Sequence, residues 1–181
     1  MELLELIKIR QSVRKYTDQS VEKEKIDRCL EAARLAPSAS NSQPWKFVIV
    51  DDNNLKDKVA RATFSKAVSF NKFALQAPII VVIVLEKSKL ITQIGGQIKN
   101  KEWALIDIGI AAEHFCLQAA ELDLGTCMIG WFNENRIKEL LNIPDNKTIG
   151  LVITLGYPPN DYPLRDKIRK SISEISNKNK Y

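Results

Sequence analysis

The stretch EWALIDIGIAAEHFCLQAAEL, residues 102–122, decides how the chain is read, because it has the length of a helix and is apolar on nearly every face. A helix of that kind has to be covered all round. The chain has 181 residues, the size of one compact domain, so a second subunit is an expected part of the cover. Upstream lies PIIVVIVLE (78–86), uniformly apolar and β-branched, which reads as a fully buried strand. Downstream, GTCMIGWF (125–132) and IGLVITLGYP (149–158) read as two further strands around an amphipathic helix at 133–141, and KFVIVD (46–51) as a fourth strand. The spacing of Ile26, Cys29, Leu30 and Ala33 predicts a helix over 22–35, with Ser20 as its N-cap. Shorter helices are expected at 2–9 and 53–62, with another ending near Gln76. The elements do not alternate as βαβ units, and no G-x-G-x-x-G follows the first strand. The expected fold is therefore α+β, one domain over residues 1–181. Residues 86–102, with a glycine pair and a polar bias, are expected to form a mobile active-site loop.

Composition narrows the chemistry. A net charge of +5 attracts phosphate-bearing ligands but lacks the basic blocks of a nucleic-acid arm. Three cysteines without a CxxC pair, each among apolar neighbours, predict reduced buried thiols and a cytoplasmic protein. No apolar run reaches the roughly 18 residues of a membrane span. The single histidine, His114, sits inside the apolar helix, so no metal cluster is expected. A Ser-His-Asp triad would rest on that same residue.

Three segments carry groups suited to a phosphorylated ligand. RQSVRKY (10–16) sets Arg10 and Arg14 four residues apart around Ser12. APSASNSQPW (36–45) offers Ser38, Ser40, Asn41 and Gln43 between Pro37 and Pro44, and the tail RDKIRKSISEI (165–175) adds Lys167 and Arg169. Each also has a plainer reading: a solvated helix end, a capped loop and a solubilising tail.

Taken together and in this order, the segments resemble the nitroreductase family of FMN-dependent oxidoreductases. RQSVRKY is similar to that family's Arg-x-Ser-x-Arg/Lys-x-aromatic motif and APSASNSQPWKFVIV to its Pro-Ser-x-x-Asn-x-Gln-Pro-Trp loop and strand. LGTCMIGWF resembles its Leu-Gly-x-x-x-x-Gly-aromatic strand, and LGYP with KIRKSISEI its closing segment. The resemblance implies a three-layer fold with a mixed or antiparallel sheet, in an intertwined homodimer that holds FMN at the subunit interface. It implies that Arg10, Lys167 and Arg169 hold the phosphate, that Gln11 and Ser12 follow the phosphate and ribityl chain, and that Arg14 faces the pyrimidine edge. Ile129 and Gly130 would meet the flavin through their backbone, and Asn71 would touch the ribityl chain. Pro37, Ser38, Ser40, Asn41 and Gln43 belong to the implied cofactor site, with Ser38, Ser40 and Asn41 reaching it from the partner.

The implied reaction takes hydride from NADH or NADPH and reduces small aromatic acceptors such as nitroaromatics or quinones by a ping-pong mechanism. FMN carries that chemistry, which agrees with a chain that shows no acid, base or nucleophile constellation and so no catalytic side chain as such. A same-fold reductive dehalogenase or flavin-consuming enzyme is an alternative. A non-enzymatic basic module for nucleotides or RNA is another, though the aromatics are not interleaved with the cations of these three segments as a stacking platform requires.

Overall fold

The computed structural model describes residues 2–87, 96 and 102–181. Four strands, β1 (Trp45–Val50), β2 (Ile79–Leu85), β3 (Gly125–Ile129) and β4 (Thr148–Gly156), form one antiparallel sheet in the order β1-β2-β4-β3. β2 is buried along almost its whole length and sits inside the sheet beside β4, which accounts for its unbroken β-branched sequence. The register between them shifts at Ile83/Val84.

Helices cover both faces, giving three layers. On one face α2 (Lys23–Arg34) and α4 (Trp103–Glu121) pack Cys29, Ala33, Phe115 and Ala119 against Val81, Ile83 and Ile153. On the other, α3 (Asn53–Arg61), the 3-10 turn Lys72–Gln76 and α5 (Glu134–Leu141) pack Val59, Phe73 and Ile137 against Val82 and Val152. α3 starts where Asp52 accepts from the Leu55 N–H, and α5 where Asn133 accepts from that of Arg136. α2 starts differently from the sequence expectation. Its N-cap is Glu22, not Ser20, and the Glu22 carboxylate accepts instead from Tyr157 Oη at 2.6 Å, so a long-range contact fixes the helix start. Burial pushes the thiols of Cys29 and Cys116 up to about 12, and all three cysteines are free and buried.

α4 is less completely covered than its composition predicts. Ile108, Ala112, Phe115 and Ala119 face the sheet, while Leu105 and Ile106 stay exposed, as do Leu3, Leu4 and Ile7 of α1 (Leu3–Ile9). α1 and α4 lie against each other, so these side chains belong to neighbouring elements. Most of the 86–102 segment lies outside the described residues.

The segment after α1 is fastened to the sheet. Ser12 bridges Thr126 of β3 in parallel, the Val13 N–H donates to the Thr126 carbonyl at 2.8 Å, and buried Tyr16 lies 2.7 Å from Thr154 Oγ1. Val13 fits only because residue 125 is glycine: a Cβ there would lie 2.7 Å from Val13 Cγ2. Gly125→Ala should therefore cost about 1–3 kcal/mol in a denaturant unfolding series. An unchanged unfolding midpoint would show that Val13 is not held this tightly.

Candidate functional site

Two lengths of chain far apart in sequence meet on one surface. The tail after β4 runs back along residues 8–14. Tyr162 Oη accepts the Arg14 N–H at 3.0 Å, and Gln11 donates to the Pro163 carbonyl (3.1 Å) while accepting from the Arg165 N–H (3.2 Å). Arg165 donates through its guanidinium to the Ser12 carbonyl. Lys167 Nζ donates to the carbonyls of Lys8 (2.6 Å) and Arg10 (2.7 Å), satisfying acceptors that the end of α1 leaves open.

The result is a concavity of about 240 Å³ lined by Arg10, Gln11, Ser12, Arg14, Arg165, Asp166, Lys167 and Arg169. Five cations share it with one carboxylate. Glu113 of α4 approaches Arg10 Nε to 3.4 Å as an ion pair without forming a hydrogen bond. Buried Arg10 Nε has no hydrogen-bond partner among the described residues. Burial, and then the nearby charges of Arg10, Arg169 and Arg165, hold Lys167 below the ordinary lysine range. Crowded like charges and an orphaned buried donor are what an anion would relieve.

Arg14 leads into a second concavity of about 490 Å³, lined also by Phe70, Asn71, Cys127, Met128, Ile129, Gly130 and Trp131. Its guanidinium lies over the Phe73 ring, 5.9 Å from the centroid. Both N–H donors of the buried Asn71 side chain are committed to backbone, to Thr63 O at 3.0 Å and Trp131 O at 3.2 Å. Asn71 therefore shapes the wall that carries Trp131.

Pro37, Ser38, Ser40, Asn41 and Gln43 line neither concavity. Their loop is nevertheless built with strain: Ser40, Asn41 and Gln43 all have positive φ (52°, 51° and 48°), although none is glycine. Ser38 Oγ accepts the Gln43 N–H at 2.9 Å, Gln43 Nε2 donates to Asn41 at 2.8 Å, and the Asp107 carboxylate of α4 accepts the Ala39 N–H at 3.1 and 3.2 Å. His114 Nδ1 lies 3.3 Å from the Ala32 carbonyl, a contact between α4 and α2. Among the described residues no group of three or more His, Cys, Asp and Glu side chains could hold a metal, and no helix is long and apolar enough to cross a membrane.

Sequence reasoning missed Arg165, which joins both chain ends and lines the cationic concavity. The signal was present. Along an extended segment alternate residues share a side, so Arg165, Lys167 and Arg169 fall together. Glu113 gave no signal, because its meeting with Arg10 depends on how α1 crosses α4.

This three-layer architecture and its relatives define the class: the chain is an α+β oxidoreductase. It belongs to the nitroreductase family, whose model matches residues 7–157. A relative from Archaeoglobus fulgidus, provisionally named an NADH dehydrogenase/NAD(P)H nitroreductase, is 34% identical, with 88% of this chain and 87% of that protein covered. An iodotyrosine deiodinase from Thermotoga neapolitana is 25% identical, with 89% and 91% covered. Among solved structures, a nitroreductase family protein from Clostridium novyi NT superposes with a TM-score of 0.78 at 36% identity, covering 92% of this chain and 89% of that one. An FMN-dependent nitroreductase from Clostridium difficile R20291 superposes with a TM-score of 0.77 at 29% identity, covering 99% and 100%.

Proposed function

We propose that residues 1–181 form a single FMN-binding domain of a cytoplasmic homodimer. It takes reducing equivalents from NADH or NADPH and passes them to small aromatic acceptors, nitroaromatics or quinones, by a ping-pong scheme. The observation that carries this reading is the cationic concavity with its orphaned Arg10 Nε. A phosphomonoester carries nearly two negative charges and three acceptor oxygens, which suits five cations that share their concavity with a single carboxylate. When bound, FMN supplies the two-electron redox chemistry.

The chain's own residues then divide the work. Arg10, Arg165, Lys167 and Arg169 hold the phosphate, while Gln11 and Ser12 fix the strap that presents them. Arg14 carries positive charge from that concavity into the next, where Ile129 and Gly130 supply backbone at the ring and Phe70 and Trp131 form an exposed aromatic rim. The strained 37–43 loop serves the partner's site. Exposed Leu3, Leu4, Leu105 and Ile106 support the dimer, as do Leu164, Ile168, Ile172 and Ile175 along the tail, because isolated chains seldom leave so much apolar surface in water. Light scattering of the FMN-loaded protein should give about twice the chain mass of 20.5 kDa. A monomer with FMN still bound would rule out the shared site. A visible spectrum separates the enzyme from a non-enzymatic binding module: flavin bands support the enzyme, and a colourless protein that FMN does not recolour refutes it.

The same cluster sets a pH dependence. FMN affinity should rise as the phosphate loses its second proton near about pH 6. It should fall on the alkaline side as Lys167 loses its proton, earlier than an ordinary lysine because its pKa is lowered. Lys167→Arg should move the alkaline limb upward, measured by FMN fluorescence titration. An unmoved limb would remove Lys167 from the phosphate site. The deiodinase relative favours one second reading, reductive dehalogenation at the same site, which turnover of a halophenol against a nitroarene would distinguish.

A further inference from the structure

A third concavity, of about 630 Å³, opens between α3 and the start of α5. Trp131 lines it and also lines the Arg14 concavity, so the two adjoin at one residue. Trp131 is 59% exposed, and Phe64 and Phe132 line the same concavity. The charges on its wall are of one sign: Lys58 and Arg61 from α3 and Arg136 from α5, with no carboxylate among the lining residues. Arg136 is paired on its own helix with Glu139 at 2.8 Å. Lys58 and Arg61 have no ion-pair partner among the described residues. They differ in this from their neighbour Lys56, which pairs with Asp57 at 2.7 Å. The two cations lie one helical turn apart, so both can address one anionic group.

We propose that this concavity is a subsite for the anionic end of an aromatic ligand, whose ring rests in the adjoining concavity against Trp131. Lys58 and Arg61 would bind a carboxylate, and Asn71 would hold the Trp131 backbone from behind through its 3.2 Å bond. The inference rests on the function proposed above and narrows its acceptor to aromatic acids. Arg61 is the stronger anchor, since its planar fork matches a carboxylate.

The test is calorimetric titration of the protein as purified, using 4-nitrobenzoate and its uncharged counterpart 4-nitrobenzamide. The carboxylate should bind about tenfold more tightly. Arg61→Gln and Lys58→Gln should each reduce that preference about threefold or more while leaving the benzamide affinity unchanged. Lys46→Gln removes an exposed charge on β1 and should leave the preference intact. Equal affinities for the two probes in the wild type would overturn the proposal, as would a preference that survives both α3 substitutions. An equal loss in Lys46→Gln would do the same, since it would reduce the effect to overall charge. FMN content is read by absorbance on the same samples. Failure of the cofactor reading appears there, whereas failure of the subsite appears in the ratio of the two probe affinities.

Discussion

Riboflavin should bind this chain at least about 100-fold more weakly than FMN, because it lacks the one group that the cationic concavity is built to meet. Arg10 is half-buried, its Nε lacks a hydrogen-bond partner among the described residues, and Lys167, Arg165 and Arg169 stand around the same space. Removing one charge-assisted partner typically costs about 1.5–3 kcal/mol, so Arg10→Gln should weaken FMN about 10- to 150-fold. Arg165→Gln should weaken it too and also loosen the strap, because the Arg165 guanidinium donates to the Ser12 carbonyl. The decisive comparison is Arg10→Gln with each ligand. It should lose FMN affinity and leave riboflavin nearly untouched. Equal affinities for FMN and riboflavin in the wild type would refute the phosphate site.

Arg14→Gln should act on the ring and shift the midpoint potential of bound FMN downward by about 30–60 mV. On the proposed reading the Arg14 guanidinium meets the flavin's pyrimidine edge, where reduction adds negative charge, so its contact of about 1.5–3 kcal/mol favours the reduced form. The charge of Arg14 is carried at the mouth of the second concavity, over Phe73. Arg10→Gln, by contrast, removes a phosphate contact whose charge is the same in both oxidation states, and it should leave the potential nearly unchanged. Redox titration of both variants under saturating FMN checks the division. A potential unmoved in Arg14→Gln, or moved as far in Arg10→Gln, would contradict it.

One side of the cationic concavity is legible in local sequence, because its residues are neighbours in the chain. RQSVRKY carries Arg10, Ser12 and Arg14 within five residues, and the loop with its two prolines announces itself by turn chemistry. The unbroken apolar run of β2 marked an inner strand for the same reason: burial on both faces leaves no polar period to see. What the sequence hid depends on distance. Ser20 looked like a cap for α2, but Tyr157, far along the chain, takes the Glu22 carboxylate and sets the helix start. Lys167 and Arg169 were expected at the phosphate, but Arg165 joins them only when the tail is taken as an extended strap with a two-residue period. Asn71 lines the second concavity, and the ties its amide makes to Thr63 and Trp131 had no signal in local sequence. The third concavity could not be foreseen, since α3 and α5 are distant in sequence and are brought together by the core around Ile137 and Val59 and by the Asn133 N–H bond to the Ala62 carbonyl.

On the proposed reading this fold holds FMN for electron transfer from a nicotinamide to an aromatic acceptor, and anaerobic absorbance spectroscopy of the FMN-loaded protein can follow both halves of that transfer. Addition of one equivalent of NADH or NADPH should bleach the visible flavin bands, and a nitroarene or quinone added after the donor is spent should restore them. Bands that neither nicotinamide bleaches, in a protein that has taken up FMN, would contradict the account.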